Sequence, residues 1–269
     1  MAIKRIEKEK KEVYQRLSQP LKEEIERIRR KIQEIEVNAL RGNTSIGKYR
    51  HFLVANYYVD IALNYIKMNR LSMHLMDLKQ DELLENSRKA IYNAIATLEK
   101  LVSDTLDGDL NEISERLSGT ERMNPYRKLY LLKKMENALK VLSEELEGGK
   151  WRYKILEMFG KFAVVVKNSI NFKEYMSMDP TSSNYRYYTE LINYAKDLLK
   201  RSADEYREKY EVSGHEVSDM RKAQEFLKAI MRMNNVLGYY DESKEIKKII
   251  EKWSQKMEED LKAKEKKKF

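Results

Sequence analysis

Residues 20–40 read PLKEEIERIRRKIQEIEVNAL. Leu21, Ile25, Ile28, Ile32, Ile35 and Ala39 alternate at steps of four and three, which places them along one face of an α-helix. Lys22, Arg29 and Glu36 flank that face on one side, Glu24 and Lys31 on the other. The pattern is a heptad seam of about two and a half repeats, short for a free-standing coiled coil. Pro20 suits the first turn of this helix, where its missing N–H costs nothing, so a separate helix is expected before it, over 3–18.

The same spacing extends outward along the chain. It predicts helices over about 48–76, 81–106, a short stretch to Leu117, 125–147, 150–176, 185–210, 219–237 and from 241 on, about ten in all. Asn124-Pro125 is a cap followed by a first-turn proline, and Asp107-Gly108-Asp109 and Asp179-Pro180 are breaks. Val164, Val165 and Val166 form the one run where a strand competes with a helix. Nine glycines and three prolines in 269 residues fall far below the roughly 12% of ordinary proteins. The tight turns of a β-rich or dinucleotide-binding fold are therefore missing. The expected class is all-α, an irregular bundle or a solenoid-like array of hairpins.

The expected organisation is an N-terminal helical arm over 1–41, a first helical subdomain over 42–147, a second over 150–261, and a frayed basic tail over 262–269. Gly148-Gly149 marks the preferred boundary. The last hairpin, residues 221–257, resembles a tetratricopeptide unit: Gly238 stands at its turn, Tyr240 two residues on and small Ser243 three further. That resemblance implies two helices in close approach, with Tyr240 as a packing aromatic. Met231 departs from it, standing where the repeat carries a small residue. No family is apparent for the whole chain.

Charge is uneven. The formal net charge is +9. Residues 1–41 and 244–269 carry +4 each, the 202 residues between them only +1, and residues 121–161 within that middle carry +4. The absence of cysteine excludes disulfides, thiolate nucleophiles and thiolate metal sites, and suits a reducing compartment. The longest apolar run, Phe162–Val166, is far short of the ~20 residues of a membrane span, so no membrane span is expected and the location is read as cytoplasmic.

Catalytic signatures are missing. His51 and His74 lie 23 residues apart on one predicted helix, about 140° around its axis and roughly 35 Å along it, so they share no metal there. The acidic corner of Asp104, Asp107, Asp109 and Glu112 has Ser103 where a calcium loop needs its first carboxylate. No phosphate-cradling glycine loop or nucleophile elbow is present, and no cofactor is expected. An enzyme with a dispersed site of carboxylates or tyrosines is the reading that sequence cannot display.

The stretch from Arg122 to Lys161 stands out. Arg127, Lys128, Lys133 and Lys134 surround Tyr126 and Tyr130; Lys150, Arg152 and Lys154 alternate with Trp151 and Tyr153. Such side chains dock an acidic protein partner, with Trp, Tyr and Arg as anchors, or hold phosphates while rings stack on bases. They also form the ordinary solvated rim of an amphipathic helix. Tyr57, Tyr58, Tyr65, Met68, Met73 and Met76 crowd another predicted helix, as core or as the lining of a partner groove. Ile25, Ile28, Ile32 and Ile35 are candidates for self-association through the N-terminal helix, and a second seam runs through Ile246, Ile250, Trp253, Met257 and Leu261. The expectation is a non-enzymatic scaffold or adaptor for protein partners, with the alternative of a nucleic-acid-associated protein that binds phosphates through residues 122–161 and the basic termini.

Overall fold

The computed structural model describes residues 7–42, 47–121, 123–146 and 151–266. Among them are ten α-helices and no strand: α1 Lys8–Leu40, α2 Arg50–Met76, α3 Asp81–Val102, α4 Leu110–Leu117, α5 Pro125–Glu145, α6 Arg152–Asn168, α7 Phe172–Ser177, α8 Ser183–Val212, α9 Val217–Val236 and α10 Tyr240–Lys266. The all-α class holds, and Val164, Val165 and Val166 are helical. Gly148, Gly149, Lys150 and Arg122 lie outside the described residues. The chain divides into two compact units, Met1–Leu101 with Leu117–Ile155 and Val102–Arg116 with Leu156–Phe269.

In the first unit, one helix replaces the two expected before residue 41: α1 runs straight through Pro20. An interior proline costs a helix about 3 kcal/mol. It is offset here by burial along one face on both sides of it, of Ser18 and of Ile25, Ile28 and Ile32, the isoleucines at roughly 1.5–3 kcal/mol each. Ser18 Oγ donates to the carbonyl of Gln15 (3.2 Å). The seam packs along α2, antiparallel to it: Arg29 reaches Tyr65 Oη (2.7 Å) and Lys31 lies over the ring of Tyr57. Ile25, Ile28 and Ile32 are thus covered by the chain itself and Ile35 is half-buried. Self-association through them would require α1 to leave α2.

α2 is buried on two opposite faces. Phe52, Val59 and Ile66 lie on one and Ile61, Tyr65 and Met68 on the other, with Lys67 and His74 exposed between them, so it is nearer a central helix than a surface one. Ser87 of α3 donates to the carbonyl of Ala62 (3.1 Å), and Gln80 N donates to Asn69 Oδ1 (2.9 Å). Asn69 Nδ2 in turn donates to Glu145 at the end of α5 (2.9 Å), beside the Arg70–Glu145 ion pair (2.7 Å).

The second unit is layered differently. α8, α9 and α10 pack in sequence, α9 against both neighbours. Gly160 of α6 allows a close approach: a Cβ there would lie 3.2 Å from Phe226 Cζ and 3.3 Å from Tyr206 Cε2. The helix expected over 150–176 is two helices. Asn168 at the end of α6 turns its amide onto the carbonyls of Ser103 and Thr105 (both 3.0 Å), and Asn171 caps α7 by accepting from Glu174 N (3.3 Å). Lys167, only 3% exposed, donates to Leu106 O and to Asn168 Oδ1 (both 2.9 Å). Burial, reinforced by the charge of Arg232 and opposed by Asp107, pushes its pKa down to about 8.

The acidic corner is structural. Asp107 pairs with Arg232 (2.8 Å), and Asp109 Oδ1 accepts from Asn111 N and Glu112 N at the start of α4 (2.6 and 3.2 Å). The expected fray over 262–269 does not begin at Lys262: α10 stays helical to Lys266, and Lys264 donates to the carbonyls of Gly214 and His215. Residues 267–269 lie outside the described residues. In the C-terminal hairpin Gly238 has φ +78°, and buried Ser243 donates to Met231 O (3.3 Å). Tyr240, however, is 62% exposed and does not pack as the tetratricopeptide pattern requires.

Candidate partner-binding site

The basic and aromatic stretch divides between two places in the first unit. Its first half forms part of a groove. Asn124 accepts from Arg127 N (2.9 Å) and Pro125 fills the first turn of α5, which fixes where that helix begins. Tyr126, Arg127 and Tyr130 then project from its first two turns. They meet Tyr49, Phe52, Leu53 and Asn56 from the start of α2 in a groove of about 330 Å³. Tyr126 is 51% exposed and Tyr130 65%, so both rings border solvent.

α2 and α5 run parallel. Lys134 donates to Asn56 Oδ1 and Asp60 Oδ1 (both 2.7 Å), Lys128 lies 5.9 Å above the ring of Phe52, and Glu145 meets Asn69 and Arg70. At successive levels the partners stay 74 to 78 residues apart, as only parallel helices allow. Both N-termini therefore open at the groove, and neither helix has an acid in its first turn. Each end carries about half a positive charge. Lys48, Arg50 and Arg127 add full charges close to those ends. His51, beside Arg50, has its pKa pushed down, first by burial and then by that cation. Glu121 is held ionised by the backbone N–H groups of residues 121 and 119, helped by the fields of Lys128 and Lys48.

The other predicted residues separate cleanly. Lys128 is 4% exposed and belongs to the inner face of α5 with Leu131, Leu132 and Met135, out of a partner's reach. Lys134 is tied to α2. Lys133 is exposed. Trp151 lies against α3, with the guanidinium of Arg88 5.8 Å and Lys154 Nζ 4.9 Å from its ring. Glu85 accepts two hydrogen bonds from Arg88 (both 2.8 Å), which hold its carboxyl below the usual range. Arg152, Tyr153 and Lys154 are exposed. Of the predicted residues, Arg127 and Tyr130 line the groove; those from Trp151 to Lys154 lie elsewhere.

Sequence reasoning missed the α2 side of the groove. Tyr49, Phe52, Leu53 and Asn56 repeat at three, four and seven, a readable stripe, but nothing in it points to α5. Among the described residues no three His, Asp or Glu side chains converge as a metal set, and no helix is long and apolar enough to cross a membrane. No curated protein and no solved structure matches the chain. A family match does exist, and it replaces the expectation that only the C-terminal hairpin would resemble known proteins: over residues 10–261, nearly its whole length, the chain belongs to the TP0443 family.

Proposed function

We propose that this protein is a non-enzymatic helical scaffold, and that the groove between the starts of α2 and α5 receives an acidic segment of a protein partner. One observation carries the reading: two parallel helices, neither with an acid in its first turn, open their positive ends onto a groove bordered by exposed Tyr126, Tyr130 and Arg127. Tyrosine and arginine are the residue types that dominate binding energy at protein interfaces, and helix N-termini favour anionic groups. The lack of cysteine fits work in the reducing cytoplasm.

The test is capture from native lysate with and without nuclease, comparing wild type with Tyr130→Ala and Arg127→Glu. Both side chains border solvent, so melting temperatures should stay unchanged within about 0.5 kcal/mol of stability. A defined set of proteins that survives nuclease and is lost with either variant supports the scaffold. Equal capture by all three proteins overturns it. A second reading has its own support, because Tyr126 and Tyr130 flanking Arg127 could stack bases and hold phosphate. Capture lost after nuclease, and falling steeply with salt, would establish that reading instead.

A further inference from the structure

α2 borders a second groove, on the side where α1 and α3 flank it, with polar side chains along both rims and Ile32, Ile61 and Ala90 among its lining. Its volume is about 370 Å³, at the small end of ligand pockets. Tyr58, Ile61 and Tyr65 form the floor. α1 is antiparallel to α2, and so is α3, since Ser87 meets Ala62 and Gln80 meets Asn69; the two rims therefore run parallel to each other. The α1 rim is Arg29, Gln33 and Glu36, and the α3 rim is Asn86, Lys89 and Asn93.

Charge is ordered along this slot. Arg29 stands at the Tyr65 end, its guanidinium held by Tyr65 Oη (2.7 Å). Its other partner, Glu26 (2.6 Å), sits on the exposed surface, where ion pairs are weak and exchange readily. Glu36 stands at the Tyr58 end; its charge, after burial, raises the pKa of the Tyr58 phenol, which Arg29 opposes. Seven residues of helix separate the two charges, roughly 10 Å. Between them Gln33, Asn86 and Asn93 have no hydrogen bond to another side chain or to the backbone through their amides among the described residues. Side-chain amides both donate and accept, as peptide groups do. Lys89, 4.0 Å from Glu85, adds a second cation on the α3 rim.

We propose that this slot binds a short free peptide of about three residues in extended form, roughly 10 Å long. Its carboxylate lies at Arg29 and its ammonium at Glu36. Its peptide groups pair with Gln33, Asn86 and Asn93 over the tyrosine floor. The site is separate from the α2–α5 groove and does not depend on what occupies it.

The probe is trialanine, titrated into the full chain and followed by calorimetry and by the side-chain amide resonances of Asn86 and Asn93. Trialanine should bind and shift both resonances. Its C-terminal amide and its N-acetyl derivative should each bind at least about fivefold more weakly. Arg29→Gln should remove the discrimination against the amide, and Glu36→Gln that against the acetyl derivative. Tyr130→Ala should change neither. Three results overturn the proposal: no shift of either amide at about 10 mM trialanine, equal affinity for the three forms, or binding of glutarate without binding of trialanine, which would mark a simple anion site.

Discussion

The two units use one long helix each in opposite ways. α2 in the first buries two opposite faces and touches α1, α3 and α5, whereas α8 in the second is amphipathic and packs mainly on α9. Their cations differ as well. The first unit buries Lys128 over the ring of Phe52, whereas the second buries Lys167 against the carbonyl of Leu106. A central helix leaves furrows between the helices around it, and both grooves described above are floored or walled by α2. In the second unit, buried polar side chains also bind the backbone of the Val102–Arg116 segment, Lys167 at Leu106 and Asn168 at Ser103 and Thr105.

Cavity creation in the central helix should have the largest effect. Ile66→Ala should cost about 2–5 kcal/mol, and hydrogen exchange should accelerate in α1, α3 and α5 together. Acceleration confined to α2 would break the comparison. Leu227→Ala in α9 should loosen α8 and α10 in the same way, by a similar amount.

Next is the pH dependence of the second unit. Burial lowers the pKa of Lys167 to about 8 from its ordinary 10.5, so the unfolded chain binds more protons between those values and folding stability rises with pH there. The gain is at most of order 3 kcal/mol. Chemical denaturation of wild type and Lys167→Met across that window should show wild type gaining stability relative to the variant toward high pH. A constant difference would mean that Lys167 titrates as an exposed lysine does.

Much of this was readable in the amino acids. The predicted and observed helix numbers agree for a reason that warns against counting: Pro20 does not split α1, and residues 169–171 do split the helix expected over 150–176. Local rules placed a break at the proline, but burial of Ser18 and three isoleucines on one face outweighs it. Nothing local marks Asn168 as a terminator, because its partners are the carbonyls of residues 103 and 105. In α5 the periodicity could have separated Lys128, three and four residues before Leu131 and Leu132, from Tyr126 and Tyr130. The pairing of α5 with α2 rests on contacts some 75 residues apart, which no local pattern encodes.

Smaller tests sharpen the comparison in the second unit. Gly160→Ala gains helix propensity, about 1 kcal/mol, but its methyl meets Phe226 and Tyr206. These two rings are buried and stacked on each other at 5.7 Å, so neither can yield. A net loss of about 1–2 kcal/mol is expected in thermal melts; a gain would show that the interface has slack. Gly238→Ala meets no atom within 4 Å, yet φ is +78°. The loss should be about 1 kcal/mol, from backbone strain alone.

The excursion of Val102–Arg116 has a consequence for the order of synthesis. Leu106 is bound by Lys167 and Arg232, 61 and 126 residues further along the chain. At roughly 5–20 residues per second, its first ligand emerges about 3 to 12 seconds after it does. During that interval α1, α2 and α3 can associate and then capture α5, with the excursion left hydrated as a loop. The segment is thus made early and ordered late, and a nascent chain stalled when Ile155 has cleared the ribosome but Lys167 has not should contain a folded first unit with residues 103–109 still open to protease.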